Sequence, residues 1–386
     1  MRIGIEGQRL LRVNKHGMDM VALELIRNLR EIDQVNEYVV FVKPDEDNAL
    51  LQDTPNCKIV RLEGPSYPLW EQVVLPRAAM KHGCDILHCT SNTAPVHLDI
   101  PLIITLHDII YMESSVKGIF RGSGSSYQKF GNLYRRFVVP RVLKKSRKII
   151  TVSEFEKDRI GDFFGITGDP RLTSVYNGVS EHFKPIKNEW VLNQAKDKYR
   201  LPDDFFFFLG NTDPKKNTKG TLRAFSDYLK LTGKNTHLVM LDFDREELSG
   251  ILNEIGDPAL IERISLTGYV KNTDLPAIYS LCKVFLYPSL RESFGIPILE
   301  AMACGAPVIT STTSSMPEIA GNAAILVDPF IPTRITEAMI QLTEDDDLAA
   351  NYSEMGMARA ANFTWRTMSL KVLERYHEVY AETHRS

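Results

Sequence analysis

Among its five cysteines, Cys57, Cys84, Cys89, Cys282 and Cys304, the 386-residue chain has no C-x-x-C pair. An odd, scattered set of this kind disfavours a disulfide framework and a zinc site, and it fits reduced thiols in a cytosolic protein. No apolar run approaches the ~20 residues that a spanning helix needs. There is no short-period repeat and no low-complexity tract. The start, Met1-Arg2-Ile3-Gly4-Ile5-Glu6-Gly7, is charged and strand-like, so we expect no signal peptide and a cytoplasmic protein. On that expectation the sequons Asn351-Tyr352-Ser353 and Asn362-Phe363-Thr364 are chance matches. Neither G-x-G-x-x-G nor a P-loop occurs, which disfavours a dehydrogenase. Charge of one sign is also lacking: 46 basic against 49 acidic side chains leave a net charge of -3, giving no global case for nucleic acid as a partner.

What is present is ordinary globular composition, with 44% hydrophobic and 25% charged residues, in a chain long enough for roughly two or three domains. Short β-rich runs alternate with helix-length amphipathic stretches, the pattern of parallel sheets built from βαβ units. A first series reads Arg2 to Gly7, Tyr38 to Lys43, Lys58 to Leu62, Asp85 to Thr90, Leu102 to Leu106, Lys148 to Val152 and Leu172 to Tyr176. Met18, Val21, Leu25 and Leu29 mark a crossover helix within Asn14 to Glu31. The polar stretch Glu181 to Arg200 is expected to hold the interdomain connection. A second series then reads Phe205 to Leu209, His237 to Leu241, Ile264 to Thr267, Val284 to Tyr287, Pro307 to Thr310 and Ala324 to Val327. The fold expected is α/β, two doubly wound Rossmann-like domains, which bind ligands at the carboxyl ends of their strands. The first covers residues 1–183 and the second 184–363.

The most informative stretch runs from Leu286 through Pro288-Ser289-Leu290-Arg291-Glu292-Ser293-Phe294-Gly295-Ile296-Pro297 to Glu300 and Cys304-Gly305-Ala306-Pro307. A strand ends near Pro288, a small-residue loop follows, and Pro297 suits the first turn of a helix. Backbone amides near Phe294, Gly295 and Ile296 then lie at a positive helix end, where an anion, most naturally a phosphate, is stabilised. Seven residues separate Glu292 on the loop from Glu300 on the helix, a spacing that can place both carboxylates on the rim of one anion pocket. The bland alternative is a dipole-complementing Glu300, a solvated Glu292 and a core Phe294.

In this setting Glu292-x7-Glu300 resembles the E-x7-E motif of retaining glycosyltransferases of the GT-B fold, family 4, and the similarity covers nearly the whole chain. Met316-Pro317-Glu318-Ile319-Ala320-Gly321 belongs to the same signature. Thr105-Leu106-His107-Asp108 resembles the family's segment beside the transferred sugar, and Gly210 to Asn217 its phosphate-binding segment, with Lys216 at the family's lysine. Gly268-Tyr269-Val270, followed by Leu275 to Tyr279, resembles the element that cradles the base. Two departures stand out. Lys215 replaces the usual arginine and offers a point charge instead of a planar fork, and only His16-Gly17-Met18 remains of a double-glycine loop.

The resemblance implies two domains facing across a cleft, with a last segment, 364–386, crossing back to the first. It implies transfer of a sugar from a nucleotide-activated donor to an acceptor hydroxyl with retention and without a metal or other cofactor. By its style the donor is GDP-mannose, with UDP-sugars the near alternative, and the acceptor a glycan or a lipid-linked glycan. His107, Lys216 and Glu292 would carry the reaction. Gly17, Lys215, Tyr269, Val270, Phe294, Gly295, Ile296 and Glu300 would hold the donor. The rivals are an epimerase or phosphorylase of the same fold and an inactive sugar-binding protein. One feature lies outside donor binding: Ser114 to Ser153 carries ten basic residues and no acidic one, interleaved with Phe120, Tyr127, Phe130, Tyr134, Phe137 and Val138. That composition suits either a solvated face or peripheral contact with an anionic membrane.

Overall fold

The computed structural model describes every residue except 14–16, 48, 114–125 and 385–386, and of 126–129 it describes the backbone only. The chain divides into two units, Met1–Asn177 with Trp365–Ser386, and Gly178–Thr364. The expected boundary at 183 thus falls inside the second unit, because the Val179 amide bonds the Phe363 carbonyl and Phe183 packs edge-on against Tyr279. Nor is 181–200 a bare connector. Glu189–Tyr199 is a helix capped by Asn188, and Tyr199 and Lys198 both bond Asp274 of the second unit.

The first unit is a seven-stranded parallel sheet. Its strands are β1 (Arg2–Glu6), β2 (Glu37–Val42), β3 (Cys57–Arg61), β4 (Ile86–Cys89), β5 (Leu102–Thr105), β6 (Lys148–Thr151) and β7 (Leu172–Ser174), in the order β3-β2-β1-β4-β5-β6-β7. Helices on both faces explain why β4 and β5 are buried along their whole length. The crossover helix Gly17–Ile32 buries Val21, Leu25 and Leu29, and the final helix Trp365–Thr383 packs beside it. That last helix is fastened from within. The Tyr376 hydroxyl meets His88 Nδ1 at 2.7 Å, and Lys148 pairs with Glu378 at 2.9 Å.

The second unit is a six-stranded parallel sheet of β8 (Phe205–Phe208), β9 (His237–Met240), β10 (Ile264–Leu266), β11 (Val284–Tyr287), β12 (Val308–Ser311) and β13 (Ile325–Val327), in the order β10-β9-β8-β11-β12-β13. All four phenylalanines of β8 are buried, as a central strand covered on both faces requires. In each unit successive strands run outward one way and then the other, so the order reverses between β1 and β4 and between β8 and β11. Ligands of such sheets sit outside the strand ends at that reversal.

Candidate functional site in the second unit

Two loops flank the β8/β11 reversal. After β8 the chain passes through a 3-10 turn, Pro214–Lys216, whose start is capped by Asp213 accepting from the Lys215 amide at 3.1 Å. Asn217 then takes a left-handed conformation, φ 56°, before the helix Thr218–Thr232. Its side-chain amide donates to the Pro288 and Pro329 carbonyls at 3.0 and 2.7 Å, which ties this loop to those after β11 and β13. A second tie runs from the Leu290 amide to the Lys215 carbonyl, 2.7 Å.

These ties bring together residues 76 positions apart: Lys216 Nζ donates to Glu292 Oε1 at 2.7 Å. It also donates to the Tyr287 hydroxyl at 3.0 Å and stands 4.8 Å from that ring's centroid. With side-chain exposures of 17% and 13%, the lysine and the glutamate are shielded from bulk water while keeping an accessible edge. Glu292 is fixed through its backbone. Its amide donates to Ser314 Oγ at 3.0 Å, and its carbonyl accepts from Ser315 Oγ at 3.0 Å and Arg291 Nη1 at 3.1 Å. Ser314 is itself left-handed, φ 60°. Strained backbone on both sides of one ion pair marks a loop arrangement imposed by the surrounding structure.

Gly295 closes the loop at φ 100°, where a side chain would be strained, and its missing Cβ spares Ile298 Cδ1 a 3.1 Å approach. The helix Ile296–Ala303 starts there with Pro297 in its first turn. Amides at that end precede any intrahelical acceptor, so they face outward with the positive end of the dipole. Glu300 follows on the second turn and accepts from the Tyr279 hydroxyl at 3.1 Å. Although Glu300 keeps a partly exposed edge, loss of hydration pushes its carboxyl up to about 7, against which the Tyr279 bond acts. Burial also raises the Tyr287 phenol well above its ordinary value, and both Glu292 and Glu300 add to that rise. Tyr287 therefore lies within the field of both carboxylates. Among the described residues no group of His, Cys, Asp and Glu side chains could hold a metal ion.

Of the other expected donor residues, Lys215 pairs loosely with Asp213 at 3.4 Å. Tyr269 follows Gly268 (φ 67°) at the end of β10 with its ring 72% exposed, while Val270 is buried. The Phe294 ring is buried against Phe363, so this residue can meet a ligand only through its backbone. Gly17 belongs to the first unit, at the start of its first helix, where a Cβ would meet nothing within 4 Å; His16 lies outside the described residues. His107, also of the first unit, follows β5. Its Nε2 meets the Thr90 carbonyl at 2.9 Å, and burial holds its imidazole below the ordinary value. Tyr287, Tyr279, Asn217 and Ser314 were not singled out from the sequence. A tyrosine ending an otherwise apolar central strand, as Tyr287 does, was the one available signal.

Two family models match the chain: Glycosyltransferase Family 4 over residues 16–183 and Glycosyl transferases group 1 over 191–359. The chain belongs to this glycosyltransferase family. It is 30% identical over 236 residues to O-antigen chain mannosyltransferase B of Escherichia coli, covering 61% of each chain. It is 28% identical over 246 residues to serotype-specific mannosyltransferase WbdA of the same organism, covering 62% of this chain and 30% of that one. The chain thus spans about three fifths and under a third of the length of these curated relatives. HepE from Anabaena, crystallised with UDP and glucose, matches with a TM-score of 0.72 at 17% identity over 98% of this chain and 100% of that one. The GT-B fold expected from the sequence is the fold observed.

Proposed function

We propose that the protein transfers a hexose, mannose from GDP-mannose in the first instance, to a hydroxyl of a glycan or lipid-linked acceptor, with retention of anomeric configuration. The observation that carries this reading is the Lys216–Glu292 pair at the β8/β11 reversal, 2.7 Å apart, beside a helix start and joined to Tyr287, which lies in the field of both Glu292 and Glu300. The mannose assignment draws support from the two mannosyltransferases above; a nucleoside diphosphate as leaving group, whichever its base, draws support from the UDP bound by HepE.

As the C1–O bond breaks, negative charge grows on the departing diphosphate. Lys216, Lys215 and the amides at Gly295 and Ile296 answer that charge without reorganising, and such placed donors contribute most when the reacting group is least charged at the start. Glu300 accepts from the ribose hydroxyls and Glu292 from hydroxyls of the sugar. Tyr269 offers its exposed ring to the base, next to the buried Val270. No side chain acts as nucleophile, and the leaving phosphate helps to deprotonate the acceptor. The charge at the diphosphate is carried by lysines, so no metal is required.

The test is a thermal-shift series with GDP, UDP and ADP, followed by turnover of the matching nucleotide sugars and NMR of the product's anomeric proton. A selective shift with GDP and an α-linked product from α-configured GDP-mannose support the proposal. Stabilisation by none of the three, or an inverted product, removes it.

A further inference from the structure

The ten basic residues between Ser114 and Ser153 do not form one surface. Lys117, Arg121 and the side chain of Lys129 lie outside the described residues. Of the others, four are held by the first unit. Arg136 donates to the Tyr111 carbonyl at 2.7 Å, and Arg135 stands over the Tyr111 ring. Lys145 donates to the Val96 carbonyl at 2.9 Å, and Lys148 is buried against Glu378. The remaining three, Arg141, Lys144 and Arg147, are exposed, and among the described residues none of them pairs with a carboxylate; Arg141 donates to the Phe137 carbonyl one turn back on its own helix at 2.6 Å, which leaves it at the surface.

The helix Ser126–Lys145 gives two of those charges, Arg141 and Lys144, a neighbourhood, and Arg147 follows two residues after its end. Its large apolar side chains Phe130, Leu133 and Phe137 are 57%, 49% and 58% exposed. At about 100° per residue, positions 130, 133, 137, 141 and 144 fall within one arc of about 80°. Arg141 lies with its guanidinium 3.7 Å from the Phe137 ring centroid, so the apolar and cationic groups form a continuous stripe. The helix cannot roll to bury this stripe. Val138, Val139, Val142 and Leu143 are in the core, and Tyr134 on the adjoining flank donates to the buried Glu71 at 2.6 Å.

We infer that this stripe, Phe130, Leu133 and Phe137 with Arg141 and Lys144, together with the exposed Arg147 just past the helix end, docks the first unit on an anionic lipid surface. Three exposed large apolar side chains on one helical arc are unusual for a face meant for water. Side by side with unpaired cations on a strip devoid of acidic residues, they match an interface whose outer layer is anionic and whose inner layer is apolar. The aromatic rings enter the headgroup boundary and the cations meet lipid phosphates. No helix of the described chain is long and apolar enough to cross a membrane, so the contact is made on the surface. The inference does not depend on which sugar the second unit uses.

The experiment is co-sedimentation of the whole protein with vesicles of phosphatidylcholine alone and of phosphatidylcholine with phosphatidylglycerol. Wild type should pellet with the anionic vesicles at low salt and leave them as salt rises, since charges are screened beyond ~8 Å at physiological ionic strength. Each lost cation should weaken partitioning about fivefold, so Arg141→Ser, Lys144→Ser and Arg147→Ser together should weaken it about a hundredfold. Phe130→Ser with Phe137→Ser should also release the protein, although it keeps every charge. Unchanged melting and nucleotide-induced stabilisation show that either variant is folded. Equal pelleting with neutral vesicles, wild-type partitioning by the serine triple variant, or full retention by the phenylalanine pair overturns the inference. So does DNA binding of equal strength that survives Phe130→Ser with Phe137→Ser, since charge alone would then explain the association.

Discussion

The two units share one architecture and treat their reversal points in opposite ways. In the second, the loops at β8 and β11 hold a lysine and a glutamate as a partly solvated ion pair, Lys216 with Glu292. In the first, the equivalent place beside β1 and β4 is taken by Glu6, buried and accepting from the Gln8 amide at 2.8 Å and the Thr90 hydroxyl at 3.3 Å. Burial raises the carboxyls of Glu6 and Glu71, and it lowers the imidazoles of His88 and His107. Every one of these shifts favours the neutral form, as does that of Glu300 in the second unit, so the contrast between the units is the Lys216–Glu292 ion pair itself. A crevice for a diphosphate must keep charge available, whereas a crevice for neutral sugar hydroxyls can bury its titratable groups at less cost by neutralising them. The same sheet topology thus carries a partly solvated ion pair at one reversal and a buried carboxyl at the other, through what its loops leave exposed.

The sharpest way to break this contrast is Lys216→Ala. Removing a placed cation from the developing charge should lower kcat by about 10²–10³, with a smaller effect on nucleotide diphosphate affinity. If steady-state kinetics show kcat intact and only KM raised, Lys216 merely binds, and the second unit has no catalytic charge to contrast with the first. Next in size is Glu300→Gln, which removes a charged acceptor of ribose hydrogen bonds and should weaken nucleotide binding by about ten- to a hundredfold, measured by calorimetry.

The pH dependence sharpens the same point. The ribose hydroxyls favour the Glu300 carboxylate, whose proton is held up to about 7 in the empty site. Wild-type nucleotide affinity should therefore fall about tenfold per pH unit below that point, a slope that Glu300→Gln should abolish. A wild-type affinity that is flat between pH 5 and pH 8 would show that the carboxylate is not a ligand group.

The smallest effects belong to the first unit and concern stability. Tyr376→Phe leaves His88 Nδ1 without its partner in the interior and should destabilise the protein by about 1–3 kcal/mol in urea melts, with nucleotide binding unaffected. His88 itself is held down to about 3 by burial, below its ordinary value of 6.5. A depressed imidazole contributes stability that is present above the unfolded value and lost as pH falls towards the folded one. Stability should consequently decline between about pH 6.5 and pH 3 in wild type, and less steeply in His88→Gln. An equal slope in both proteins would mean that other groups govern the acid limb.

The central strands were legible because strands covered on both faces must be continuously apolar, Phe205–Phe208 being the extreme case, and the half-buried edge strands such as β3 and β10 by their place in the β-α alternation. Their ends shifted by a residue or two, since hydrogen bonding to neighbours, which the local sequence does not encode, sets where pairing stops. The spacing from Glu292 to Glu300 and the glycine between them were equally legible, because a strand, a loop and a helix start follow one another directly there. The connector was not. Residues 189–199 carry polar composition on a helix that packs by one flank, and polarity alone reads as a linker.

By itself the sequence determined the two parallel series, the phosphate-side loop and the presence of Lys216, Glu292 and Glu300, since each depends on local pattern. Tertiary structure alone decided that β8 lies beside β11, and so that Lys216 meets Glu292 across 76 positions with Tyr287 in the field of both carboxylates. It also decided which cations of a uniform basic run turn inward and which stay at the surface beside exposed phenylalanines. Strand order and burial are properties of the packed chain. Charge, unlike hydrophobic periodicity, carries no local mark of the partner it will find.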